Sequence, residues 1–94
     1  MTSVVRTFRK DPDAVLDFGL DWQEWLESAD VIASSAWTVA PTGLTTFSES
    51  FDDTKTVVWC SGGLPGTTYT LSNRIATDDG RGDDRSIEIV VTER

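Results

Sequence analysis

Histidine is missing from this sequence. With it goes the side chain that most often moves protons near neutral pH and most often binds metals. Cysteine occurs once, at Cys60. No internal disulfide can therefore form, which suits a reducing compartment, and no imidazole is present to activate the thiol as a nucleophile. No long apolar run occurs anywhere, and the opening MTSVVRTFRK lacks the apolar stretch of a signal peptide. Neither a membrane span nor secretion is expected, so the chain reads as made in the cytoplasm. Cations are scarce, with 8 Lys and Arg against 16 Asp and Glu and a net charge of −8. Such a surface repels nucleic-acid phosphates and anionic lipid, so neither is an expected partner.

What the chain does have is aromatic area and alternation. Four Trp, four Phe and one Tyr lie within 94 residues, each able to remove roughly 150–250 Å² from water. That is enough for one thin core in a chain of one domain. Period-2 patterns mark six strands, near residues 15–21, 30–41, 42–53, 55–63, 67–77 and 84–94, separated by Gly, Pro and Asp turns. Spacing of this kind predicts an all-β sandwich or small barrel. Between the first two strands, WQEWLES breaks the period. Asp21 as cap and Trp22, Trp25 and Leu26 on one face predict a single helical turn over 22–28.

Charge divides the chain at residue 10. Residues 1–10 hold Arg6, Arg9 and Lys10 without an acid, a local +3 that leaves −11 on the remainder. Residues 1–10 therefore read as a basic N-terminal arm and residues 11–94 as the sandwich domain. Arg6, Phe8, Arg9 and Lys10 are the candidate assembly interface, since one subunit's arm complements the next subunit's acidic body. The bland alternative is a terminus that is merely basic.

The most charged stretch, DDGRGDD at 78–84, could be a cation site, an Arg-Gly-Asp adhesion signal or a turn. Its acids miss the spacing of a calcium loop and lack the closing Glu. Asp79-Gly80 is a turn pair between two alternating strands, so a hairpin is the expected reading. No metal and no cofactor is expected. Tyr69, after a Gly-rich loop, fits the corner that ties a sandwich's crossing loop; the other reading is an aromatic that meets a partner. Trp37 and Trp59 sit mid-strand and read as core. Trp22 and Trp25 read as a plug at the open end of the sandwich, the alternative being a binding patch. Asn73 shares a buried face with Tyr69, Leu71 and Ile75, so it is expected near a rim or bonded to a loop backbone. Cys60 reads as a small buried hydrophobe. Asp17, Asp21 and Glu24 are the nearest thing to a carboxylate cluster, but so small a domain offers little cleft. Catalysis is not expected.

The run RKDPDAVLDFGLDWQEWL, then SSAWTV at 34–39, then VWCSGGLPGTTYTLSNRIATDDGRGDDRSIEIVVTER resembles the phage fiber-tail adaptor proteins, a family of short tailed-phage virion proteins. The resemblance covers residues 10–94. Cys60 and Asp79 depart from the family pattern without disturbing a strand. The resemblance implies an immunoglobulin-like β-sandwich and a non-enzymatic part of the virion tail. Such a part joins a fibre or appendage to the tail by ring assembly and by docking other tail proteins. It supplies no catalytic residue; Asp21-Trp22, Trp37, Trp59, Gly62-Gly63, Tyr69, Asn73, Gly80 and Arg85-Ser86 then read as fold determinants. The competing functions are a capsid or tail decoration module on an existing lattice, and a carbohydrate-binding sandwich with Trp22 and Trp25 as stacking platform.

Overall fold

The computed structural model of the chain describes residues 3–93. Its strands are β1 (Ser3–Lys10), β2 (Leu16–Asp21), β3 (Ile32–Ala40), β4 (Leu44–Phe51), β5 (Lys55–Gly62), β6 (Thr68–Thr77) and β7 (Gly82–Val91). They form two sheets, one ordered β1-β7-β6-β3 and the other β2-β5-β4. Neighbours are antiparallel except β1, which runs parallel to β7. The architecture is the expected all-β sandwich, with one strand more than the alternation gave.

The extra strand is β1, in the segment read as an arm. It occupies an edge of the four-stranded sheet, paired from Ser3 against Arg85 to Lys10 against Val91. Phe8 packs on Phe18 of the facing sheet with ring centroids 5.1 Å apart, and Lys10 is 1 % exposed. The period is hidden in the sequence because Arg6 and Lys10 share the inward side with Phe8. A cation at an inward position reads as surface.

Elsewhere the core follows the alternation. Trp37, Tyr69, Leu71, Ile87, Ile89 and Val91 from β3, β6 and β7 meet Phe18, Leu44, Val58 and Cys60 from the other sheet, while Ile75 packs with Ile32 and Trp22 in a second cluster. Ile32 and Trp37 are both buried although five residues apart, an odd step that would put them on opposite faces. A bulge between Ile32 and Ser34 restores the phase. A second bulge in β4, between Phe47 and Ser50, includes Ser48 at φ 51°. It shifts the edge strand so that Glu49 accepts the Trp37 backbone N–H at 3.2 Å and ties β4 to β3.

The remaining signals are local. Trp25 and Leu26 both donate their N–H groups to the Trp22 carbonyl, at 2.9 and 3.1 Å, which makes the single helical turn, and Asp21 caps it through the Gln23 N–H at 2.9 Å. The Tyr69 hydroxyl accepts the Leu64 N–H at 2.9 Å and holds the loop before its strand. Gly43 lies against that hydroxyl at φ 129°, where a Cβ would sit 2.8 Å from the oxygen. The hairpin between β6 and β7 closes as Gly80, at φ 86°, donates to the Thr77 carbonyl.

Two expectations are corrected. Trp59 is not core: it is 38 % exposed on the outer face of β5, because Val58 and Cys60 take the inward positions. Asn73 is not at a rim: it is fully buried. Its carbonyl accepts Trp22 Nε1 at 3.0 Å and Thr56 Oγ1 at 2.7 Å. Its amide donates to Ser35 Oγ at 2.8 Å and to the Ala36 carbonyl at 3.2 Å. Replacing Asn73 by Leu orphans the Trp22 and Thr56 donors, each at a cost of about 1–3 kcal/mol. Asn73→Leu should therefore lower the free energy of urea unfolding by about 3 kcal/mol; Trp22→Phe, which removes only one of the four bonds, is the milder comparison.

Candidate functional site

The candidate interface residues part ways on β1. Arg9 is exposed, and Arg6 lies with its guanidinium 5.6 Å over the Phe8 ring. Lys10 is withdrawn from solvent, its Nζ donating to the Gly62 carbonyl at 2.7 Å and the Asp11 carbonyl at 2.9 Å. Burial, partly offset by Cys60, Asp11 and Asp13, holds its pKa below the ordinary lysine value. Two cations of the three thus remain for an encounter, Arg6 and Arg9.

Beside Arg6 the two sheets part. β1 and β2, the edge strands of the two sheets on this side, border a groove of about 300 Å³. Phe8, Leu20 and Ile87 give it an apolar lining; Arg6, Arg85 and Asp21 supply its charge. Arg85 sits 4.2 Å over the Trp22 ring and points Nη1 at the Asp21 carbonyl, 3.5 Å away.

The largest departure from the sequence reading lies on the outer face of the β2-β5-β4 sheet. Phe47 is in register with Trp59, and Trp59 with Asp17. The two rings stack at 6.5 Å and 29° while remaining 39 % and 38 % exposed. Val15, 54 % exposed just before β2, and half-buried Val57 extend the apolar surface. A usable signal was present: VVWC alternates, and burying Cys60 with Val58 forces Trp59 outward.

Trp22 and Trp25 offer no such platform. Trp22 is fully buried, packed edge-on against Trp25 at 5.5 Å and 74°. Arg81 covers Trp25 at 4.3 Å and pairs with Glu27 at 3.5 Å. The Arg of the Arg-Gly-Asp triplet is thereby engaged within the fold. At the same hairpin, the Asp30 carboxylate accepts the N–H groups of Val31 and Asp79. Its burial acts to raise its pKa, but Thr77, those two N–H groups and Arg81 outweigh it and hold the group below the usual carboxylate range.

Among the described residues no three of Cys, Asp and Glu gather as metal ligands. The Cys60 thiol is fully buried, and burial raises its pKa from 9.0 to about 11 against the pull of Lys10. A raised folded-state value stabilises the fold below pH 9.0 and is lost as the pH climbs through about 11. Urea unfolding across that window should show a fall in stability that Cys60→Ala lacks, and a thiol reagent should label the wild-type chain only once it is unfolded.

Residues 10–90 match the model of one protein family, described as podophage GP4 fiber-tail adaptor protein gp77. No curated protein matches the chain. The matched span takes in β2 to β6 whole and β7 but for its last residue, together with Phe47 and Trp59, and touches β1 only at Lys10. With nearly the whole sandwich inside that span, the chain belongs to the family of podophage fiber-tail adaptor proteins.

Proposed function

We propose that this chain is a repeated, non-catalytic subunit of the virion tail. In this reading several copies stand around the tail axis, and each holds a fibre or another appendage by its β2-β5-β4 face. The observation that carries the docking half is the stacked, solvent-facing pair Phe47 and Trp59. Single exposed apolar residues are ordinary on a protein surface. A stacked aromatic pair flanked by Val15 and Val57 on a flat sheet is a different object. Aromatic anchors of this kind carry most of the binding energy at protein interfaces once a partner excludes water from them.

Asp17 stands next to Trp59 in register. Its charge gives the aromatic pair a polar rim, which adds specificity and encounter rate to the contact more than affinity. An adaptor must meet two kinds of neighbour at once, its own copies and a different protein. In this reading the sandwich offers a different surface to each, the outward aromatic face of the β2-β5-β4 sheet and the basic β1 edge beside the gap between the sheets. The protein would be made in the host cytoplasm and reach its place through these contacts.

The test is a phage carrying Phe47→Ser together with Trp59→Ser. Both side chains face solvent, so the fold should lose no more than about 1 kcal/mol. The expected particles keep this protein on the tail but lack the fibre or appendage. Normally equipped particles would overturn the assignment of the aromatic face.

A further inference from the structure

The two long sides of the sandwich differ. Where β3 meets β4, the Glu49 carboxylate bonds across the gap to the Trp37 N–H. Where β1 meets β2, the gap stays open as the groove that carries Arg6 and Arg85, two cations against the single carboxylate of Asp21. Neither of these arginines has a carboxylate within salt-bridge reach among the described residues, while Arg74 pairs with Asp84 and Arg81 with Glu27. Arg6 and Arg85 lie over the Phe8 and Trp22 rings, so in a chain with twice as many acids as cations this groove holds two guanidiniums without an acidic partner among the described residues.

The hairpin between β6 and β7 holds the complement. Asp78 and Asp79 are exposed at its tip, and neither has a cationic partner among the described residues. The tip is built stiffly. Thr77 N–H donates to the Arg81 carbonyl at 2.8 Å and Asp78 N–H to the Val31 carbonyl at 3.1 Å, while Asp79 N–H donates to Asp30 Oδ1 at 3.2 Å. A tip already fixed by its own hydrogen bonds loses little entropy when it docks.

We propose that the β6–β7 hairpin of one copy inserts into the β1–β2 groove of the next, setting Asp78 and Asp79 against Arg6 and Arg85. The tip cannot fold back into its own groove: its bonds to Val31 and Asp30 hold it toward β3, across the sheet from β1. Each copy offers one tip and one groove, so the contact runs head to tail and generates a ring where the rotation closes. Carboxylates on guanidiniums make short, directional, charge-assisted bonds, and the apolar floor of Phe8, Leu20 and Ile87 lowers the local dielectric around them. The inference rests on the repeated-subunit reading above and specifies its contact.

The test is light-scattering mass on a sizing column at low and high salt, with charge reversals. The full chain should run as a multiple of 10.3 kDa at low salt and fall apart as salt screens the contact. Arg6→Glu alone, and Asp78→Lys with Asp79→Lys, should each give monomer. Mixing the two variants, or combining all three changes in one chain, should restore the multimer, because the swapped charges again attract. Phe47→Ser with Trp59→Ser should leave the mass unchanged. A wild-type chain that stays monomeric at its highest attainable concentration overturns the proposal, as does a multimer that survives Arg6→Glu or survives the hairpin reversal. Dispersal by the aromatic variants overturns it too, since it would place the contact on the outer face of the β2-β5-β4 sheet. None of these results touches fibre attachment, the readout for the docking face.

Discussion

The carboxamide of Asn73 joins both sheets and the helical turn between β2 and β3. An amide offers two acceptor and two donor positions, and all four are filled: Trp22 and Thr56 on the oxygen, Ser35 and Ala36 on the nitrogen. Thr56 belongs to one sheet and Asn73 to the other, so the bond between them crosses the sandwich. Ser35 and Ala36 fix the neighbouring strand β3 at its bulged half. Trp22 begins the helical turn, so its indole N–H sets where that turn closes the end of the core over Ile32 and Ile75. In a domain of this size a fully satisfied polar centre specifies one packing of two sheets that apolar contacts alone would leave free to slide.

From that centre the rest of the interior follows in order of distance. Trp22 carries Trp25 edge-on and is roofed by Arg85, while Trp25 is roofed by Arg81. Arg81 and Arg85 flank the acidic segment of β7, so the charged hairpin is anchored by cation–π contacts, each worth about 0.5–1 kcal/mol at an exposed site. At the opposite end Lys10 ties β1 to the close of β5 through the Gly62 carbonyl. The few cations are therefore mostly spent on covering aromatic rings and carbonyls, which is why so acidic a chain can still close.

How much of this was legible depended on whether one residue's position could be inferred from its neighbours. β6 was readable because Tyr69, Leu71, Asn73 and Ile75 alternate without interruption, and β7 because Ile87, Ile89 and Val91 do the same. β1 was not, since its inward side carries Arg6 and Lys10, and β3 kept its strand but lost its phase to a bulge that no local residue announces. A mid-strand position alone does not say which face Trp59 takes; the alternation of Val58 and Cys60 sets it outward. Asn73 was placed at a rim because its partners lie 17 to 51 residues away in sequence, and no local pattern reports a bond at that range. The aromatic face and the groove share this limit: each is assembled from strands distant in sequence.

The same charge that hides β1 also shapes how copies of this domain can meet. At −8 per chain, two copies repel at any approach that sets acidic surface against acidic surface, and the repulsion acts over a Debye length, roughly 8 Å at physiological salt. Attraction is left to approaches that bring one of the few free cations to an acid. Arg6 and Arg9 on β1 are such cations, and they line a sheet edge whose unpaired backbone groups would otherwise invite indiscriminate strand addition. An acidic body with a basic edge thus discourages aggregation of like faces and would favour one relative orientation in the ring proposed above. Because Phe47 and Trp59 face outward from the β2-β5-β4 sheet while Phe8, Leu20 and Ile87 line the gap between the sheets, the proposed contact between copies would leave the aromatic pair uncovered.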